Sequence, residues 1–243
     1  MSVSIRQTIQ KTLESILPAS MYNSLHAAVT KRRARRWAAN PQPYLAETLE
    51  QFAPVGGVVM DIGANLGQWA VHMSRRVGKD GLVHAYEPVP NFMTVFRKTM
   101  HDLDVHHNIR FHQLALSDQQ GEMSFATHDK DGKYLSGAAH ISKPGEKGDI
   151  TVPVVTLDSL LDTLERAKEI RFLKVDVEGA ELMLFKGGTR FIKELRPVIF
   201  SEVEDRHCSG FGHTRQDVID FMTSLGYDHK PVTHNDVLFT PKA

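Results

Sequence analysis

The sequence predicts an α/β fold, a mostly parallel sheet with helices on both faces, preceded by a helical N-terminal stretch. Three observations carry this. From Val58 onward, short apolar runs alternate with helix-forming segments at the spacing of βαβ units. The run Val58–Asp61 passes through Gly63 and Gly67 into such a segment, which is the grammar of strand, tight turn and helix. Acidic residues recur at the C-terminal ends of later apolar runs, where an open parallel sheet has its ligand crevice.

Composition sets the bounds. A chain of 243 residues, 41% hydrophobic and 24% charged, suits one domain with a short appendage. Twenty-nine cationic residues against 29 acidic ones give no global reason to expect nucleic acid as a partner. The single cysteine, Cys208, rules out an internal disulfide framework and fits a reducing compartment. No apolar run approaches the roughly 18 residues of a membrane span. The N-terminus lacks a basic-then-apolar leader pattern, so the expected location is cytoplasmic.

Residues 1–52 are expected as a helical extension and residues 53–243 as the main domain. Ile5, Ile9, Leu13 and Ile16 fall at helical spacing until Pro18 interrupts. A second helical stretch, Met21 to Ala39, carries the run Lys31-Arg32-Arg33-Ala34-Arg35-Arg36. Five cations in six residues suit anionic lipid headgroups, a polyanion or simply a solvated face. A third helix, Pro43 to Phe52, is expected to pack on the main domain.

In that domain the expected strands are Val58–Asp61, Leu82–Glu87 and Ile109–Leu114, separated by helices Gln68–Arg76 and Pro90–Asp102. Strands Glu122–Thr127 and Thr151–Thr156 flank a polar, Gly-rich span from His128 to Asp149. Its length marks it as a functional loop or lid. Helix Leu157–Lys168, strand Phe172–Val175, helix Ala180–Lys186, strand Pro197–Val203 and helix Thr214–Leu225 follow. Tyr227–Pro231 and Val237–Thr240 form a closing hairpin.

The turn Asp61-x-Gly63-Ala64-Asn65-x-Gly67 lacks the middle glycine that lets a dinucleotide pyrophosphate approach the backbone. One tight turn and one close helix approach remain, enough for an amino-acid carboxylate or a ribose, with Asp61 near a ligand ammonium. Glu87, before Pro88 at the next strand end, can accept hydrogen bonds from both ribose hydroxyls. Leu116-Ser117-Asp118 ends a third strand, where a polar side chain can meet an adenine amino group; Asp118–Gly121 is also good turn chemistry. The fourth strand end, Asp176-Val177-Glu178-Gly179-Ala180-Glu181, holds more carboxylates than a helix cap needs. The fifth adds Glu202 and Glu204 on one strand face, then His207 and His213, which titrate near neutrality. Oxygen ligands at these two ends also suit Mg²⁺, whereas the spacings of a zinc site are missing.

Five segments occur in order: Val59–Gly67, Tyr86-Glu87-Pro88, Ala115-Leu116-Ser117-Asp118, Val155-Thr156-Leu157-Asp158 and Lys174–Glu181. Together they resemble the FkbM-type S-adenosylmethionine-dependent methyltransferases, over roughly residues 55–230. The resemblance implies a Rossmann-like class I methyltransferase fold, with a seven-stranded sheet whose last strand is antiparallel. It also implies O-methylation of a sugar, glycan or natural-product hydroxyl. In that picture the methionine end of the cofactor lies over Gly63–Gly67 with Asp61 near its ammonium. The ribose meets Glu87, adenine borders Leu116 and Asp118, and Asp176 lies beside the sulfonium. Candidates for the base that takes the acceptor proton are Asp176, His207, Glu202 and His213. The alternatives are an RNA or protein methyltransferase and a non-catalytic S-adenosylmethionine-binding protein. The only Asn-Pro pair, Asn40-Pro41, lies outside the fourth strand end, where RNA methylation would need it.

Overall fold

The computed structural model describes residues 39–128, 139–142 and 147–242, with isolated positions 18, 21, 32, 36 and 37. The first two expected helices lie outside these residues. The Lys31–Arg36 run is described only at Arg32 and Arg36, both exposed.

Alternation along buried strands builds the layers. Val58, Met60 and Ile62 of β1 (Val58–Ile62) face one apolar cluster, and Val59 faces the other. Helix α1 (Pro43–Phe52) covers the Val59 side with α2 (Gln68–Val77) and α3 (Pro90–Asp102). Leu45 and Leu49 of α1 are buried there. The opposite face is covered by α4 (Leu157–Leu160), α5 (Glu181–Lys186), α6 (Thr189–Leu195) and α8 (Arg215–Ser224). Short α7 (Asp205–Cys208) also buries Cys208 in this face.

The main sheet adds β2 (Leu82–Tyr86), β3 (Ile109–His112), β8 (Ile170–Val175), β9 (Val198–Glu202), β10 (Tyr227–Pro231) and β11 (Asp236–Pro241). Its order is β10-β11-β9-β8-β1-β2-β3. The pairs from β3 to β9 are parallel, while β11 runs antiparallel to both β9 and β10. The seven-stranded expectation therefore holds, and the final strand enters the sheet between β9 and β10. A second sheet, β4-β7-β5-β6, joins β4 (Ala115–Leu116), β5 (Gly121–Ala126), β6 (His140–Ile141) and β7 (Ile150–Val155). β6 falls inside the expected loop, and Ile141 pairs with Phe125 of β5.

Three expectations need correction. The helix predicted to reach Lys168 ends at Leu160, because the chain turns back under the sheet. There the buried His84 ring donates its Nε2–H to the Glu165 carbonyl at 2.9 Å, and Arg166 takes a left-handed φ of 55°. The strand predicted over Ile109–Leu114 breaks after His112, and Ala115-Leu116 pairs instead with β7 in the second sheet. Helix α6 was not foreseen as a separate element.

Candidate functional site

Gly63 and Gly67 have different tasks. Gly63 has φ 75°, and a Cβ there would sit 1.7 Å from the Asp176 carbonyl oxygen, so the β1 turn crosses the β8 exit with no room for a side chain. Gly67, at φ 83°, meets the Phe96 ring, where a Cβ would lie at 2.3 Å. The turn is fastened to β2 by Gly63 N–H and Ala64 N–H, which donate to the Tyr86 carbonyl at 3.0 and 2.8 Å.

Glu87 completes that fastening. Its carboxylate accepts from the backbone N–H groups of Asn65 and Val89, each at 2.8 Å. It is 4% exposed, and burial pushes its pKa up to about 7. Its oxygens keep lone pairs for a ligand, since each accepts only one of these bonds.

A cleft with about 580 Å³ of empty space, partly open to solvent, runs over these strand ends. Gly63, Asn65, Glu87, Pro88, Leu116, Asp176 and Glu178 of the predicted set line it. Phe92, Phe125 and Ile141 add apolar wall, the latter two from the second sheet. Asp61 is fully buried behind it; Ala64 and Gly67 support the turn from beneath. Ser117 and Asp118 do not line the cleft. Ser117 is buried where Gly187 closes on its carbonyl, and Asp118 is exposed in the following bend.

The β8 exit is held from two sides. Glu181 accepts from Val177 N–H at 3.2 Å and Gly179 N–H at 3.1 Å, and burial lifts its pKa to about 7. Glu178, at φ 56°, pairs with His207 Nδ1 at 3.0 Å, and that bond raises the His207 pKa. His213 lies apart from the cleft, and burial lowers its pKa. Glu202, half-buried, has its pKa pushed to about 8 by burial and by the charges of Asp176, Glu178 and Asp236. Glu204 turns away to pair with Arg206 at 2.6 Å.

Sequence reasoning missed Lys174. Its Nζ donates to the Gly63 carbonyl at 2.9 Å and lies 3.3 Å from Asp176 Oδ2 and 3.6 Å from Asp61 Oδ1. Burial works against its charge, yet the Asp176 and Asp61 carboxylates outweigh that and raise its pKa. Asp176, one of the acids considered for Mg²⁺, thus meets an ammonium already in place. The signal was a single charge inside the predicted apolar strand Phe172–Val175.

A Gly63 turn that excludes a Cβ, a buried acid at the β2 end, an apolar slot beside Leu116 and carboxylates at the β8 end fit S-adenosylmethionine. The sheet order and the antiparallel β11 define the class: this is the fold of S-adenosylmethionine-dependent class I methyltransferases. The model of the methyltransferase FkbM domain matches residues 61–228, and the chain belongs to that family. It is 26% identical over 149 residues to Methyltransferase 1 of Beauveria bassiana, covering 55% of this chain and 59% of that protein. It is 29% identical over 142 residues to the hexuronic acid methyltransferase AglP of Haloferax volcanii, covering 58% and 54%. The matches thus span little more than half the length of these curated relatives. The crystal structure of Methyltransferase FkbM from Methylobacillus flagellatus superposes with a TM-score of 0.50 at 14% identity, over 90% of this chain and 58% of that one. Among the described residues no helix is long and apolar enough to cross a membrane.

Proposed function

We propose that the protein methylates a hydroxyl oxygen of a sugar, glycan or natural-product acceptor, using S-adenosylmethionine. The observation that carries this is one continuous crevice in which the Gly63 turn, Glu87 and Asp176 meet, with Glu202 in the field of the Asp176 and Glu178 carboxylates that line it. The hexuronic acid named for the Haloferax relative favours a sugar hydroxyl as acceptor.

Bound there, S-adenosylmethionine supplies an already activated methyl group. The chain's own task is then positioning and proton handling. Asn65 and the Gly63 turn hold the amino-acid end, and Asp61 acts on it from behind. Glu87 and Pro88 hold the ribose, and Leu116 with Phe92 borders the adenine. Asp176 and Glu178 keep negative charge beside the reacting centre, the latter braced by His207. Glu202 takes the acceptor proton, since a carboxylate raised to about 8 is well matched to that transfer. Ser117, Asp118 and His213 have no direct part in this scheme. Residues 1–52 form the extension to a domain of residues 53–243, and the Lys31–Arg36 run gives it a peripheral contact with anionic headgroups.

Calorimetry with S-adenosylmethionine tests the cofactor assignment. Asp61→Ala and Glu87→Ala should both abolish binding, and unchanged affinity in folded variants rejects it. Full turnover in excess chelator would end the Mg²⁺ alternative. Unaltered vesicle binding after deletion of residues 1–40 would end the membrane one.

A further inference from the structure

On the α1 side of the sheet, charged and apolar residues fall in matching rows. Asp61, Lys174, Phe200 and Leu238 are in register across β1, β8, β9 and β11. Two residues further toward the crevice, alternation brings Asp176, Glu202 and Asp236 to the same face, and Glu202 is the register partner of Asp236. Tyr44 of α1 stacks on Phe200, with ring centroids 6.0 Å apart at 7°. Its phenol stands in the fields of Asp236, Glu202, Lys174 and Asp176. Behind this surface Asp61 is 0% exposed, and among the described residues neither of its oxygens has a hydrogen-bond partner; its Oδ1 points toward Lys174 at 3.6 Å. Asp176 also lines the cofactor cleft, so the two regions are continuous.

We propose that this surface is the acceptor subsite and that it selects an uncharged polyol, such as a neutral sugar, over an acceptor bearing a carboxylate. The assignment rests on the methyl-transfer reading above. Among the described residues, the Lys174 ammonium and the Arg215 guanidinium act against four acids, Asp61, Asp176, Glu202 and Asp236, which leaves carboxyl groups in excess of cations. Sugar hydroxyls donate to carboxylates, and the Tyr44 ring offers an apolar platform for the sugar's C–H face. Above about pH 8, where Glu202 is ionised, a uronate would meet like charge. Tyr44 and Asp236 lie outside residues 61–228, so this selection belongs to parts of the chain beyond the family match.

The test uses the full chain loaded with S-adenosylhomocysteine. Calorimetry of that loading reports on the methyl-transfer reading separately. Methyl glycosides of glucose, galactose and mannose, and their matching uronates, are then titrated by saturation-transfer NMR at about pH 9, where Glu202 is ionised. At least one neutral glycoside should bind about tenfold or more tightly than its uronate. Asp236→Asn should shrink that ratio about threefold or more by improving the uronate, and Tyr44→Ala should weaken the neutral sugar. Equal or tighter uronate binding overturns the proposal. So does binding of neither sugar class to the loaded protein, or an unmoved ratio in Asp236→Asn that still binds S-adenosylhomocysteine.

Discussion

Lys174 Nζ lies 3.3 Å from Asp176 Oδ2, with 6% of the lysine side chain exposed. The two residues are two positions apart, so alternation sends both to the same face. There the ammonium also reaches Asp61 and the Gly63 carbonyl, tying the β1 turn to the β8 exit.

Removing this cation leaves carboxylates buried without compensation. Lys174→Met should cost about 3–5 kcal/mol in urea unfolding at pH 8. The loss should be smaller at a pH well below 8, because burial already raises the Asp61 pKa and a protonated Asp61 needs no cation. Adding Asp61→Asn should recover part of it. An equal loss at both pH values would argue against a charge origin.

Gly63 and Gly56 separate backbone strain from steric overlap. Their φ angles are 75° and 74°, but only Gly63 has a neighbour within 4 Å of a built Cβ. Gly56→Ala should cost about 1 kcal/mol and leave cofactor binding intact. Gly63→Ala should cost roughly 2–5 kcal/mol and abolish it. Similar losses in both would mean that the Asp176 carbonyl gives way.

Glu202 predicts a pH profile. If it takes the acceptor proton, kcat should rise with pH toward about 8 as its carboxyl ionises. Glu202→Gln should remove that limb along with most activity. Asp236→Asn, by deleting a neighbouring negative charge, should move the limb to lower pH. A limb that persists in Glu202→Gln assigns the base to another residue.

Glu181 acts on stability. Unfolded, it loses its proton near 4.5; folded, it keeps the proton to about 7. Between these values the folded state binds more protons, so stability falls as pH rises through that window. Glu181→Gln keeps an oxygen to accept from Val177 and Gly179. It should flatten the decline between pH 4.5 and 7, recovering up to about 3 kcal/mol above it. An unchanged slope would show that Glu181 ionises normally.

Much of this molecule was legible along the chain. Short-range signals set helix α3 at Pro90–Asp102 and placed a strand before the glycine turn and a helix after it. Apolar runs with turn residues at their ends encode local conformation directly, so seven of the proposed cofactor residues do line the cleft. Ser117 and Asp118 fell outside it because a strand-end rule says which end faces the crevice. It does not say that β4 leaves the main sheet for the second one.

Partners from distant strands were beyond such reading. Lys174 is one cation in an apolar run until the β1–β8 register sets it opposite Asp61. Tyr44 is one aromatic on an amphipathic helix until α1 lays it on Phe200. Asp236 becomes Glu202's neighbour only because β11 enters antiparallel between β9 and β10. Local sequence thus specified the elements and the glycine turn, since both depend on neighbours a few residues apart. Burial and charge around Lys174, Glu202 and Asp236 came from strand register between residues far apart in the chain.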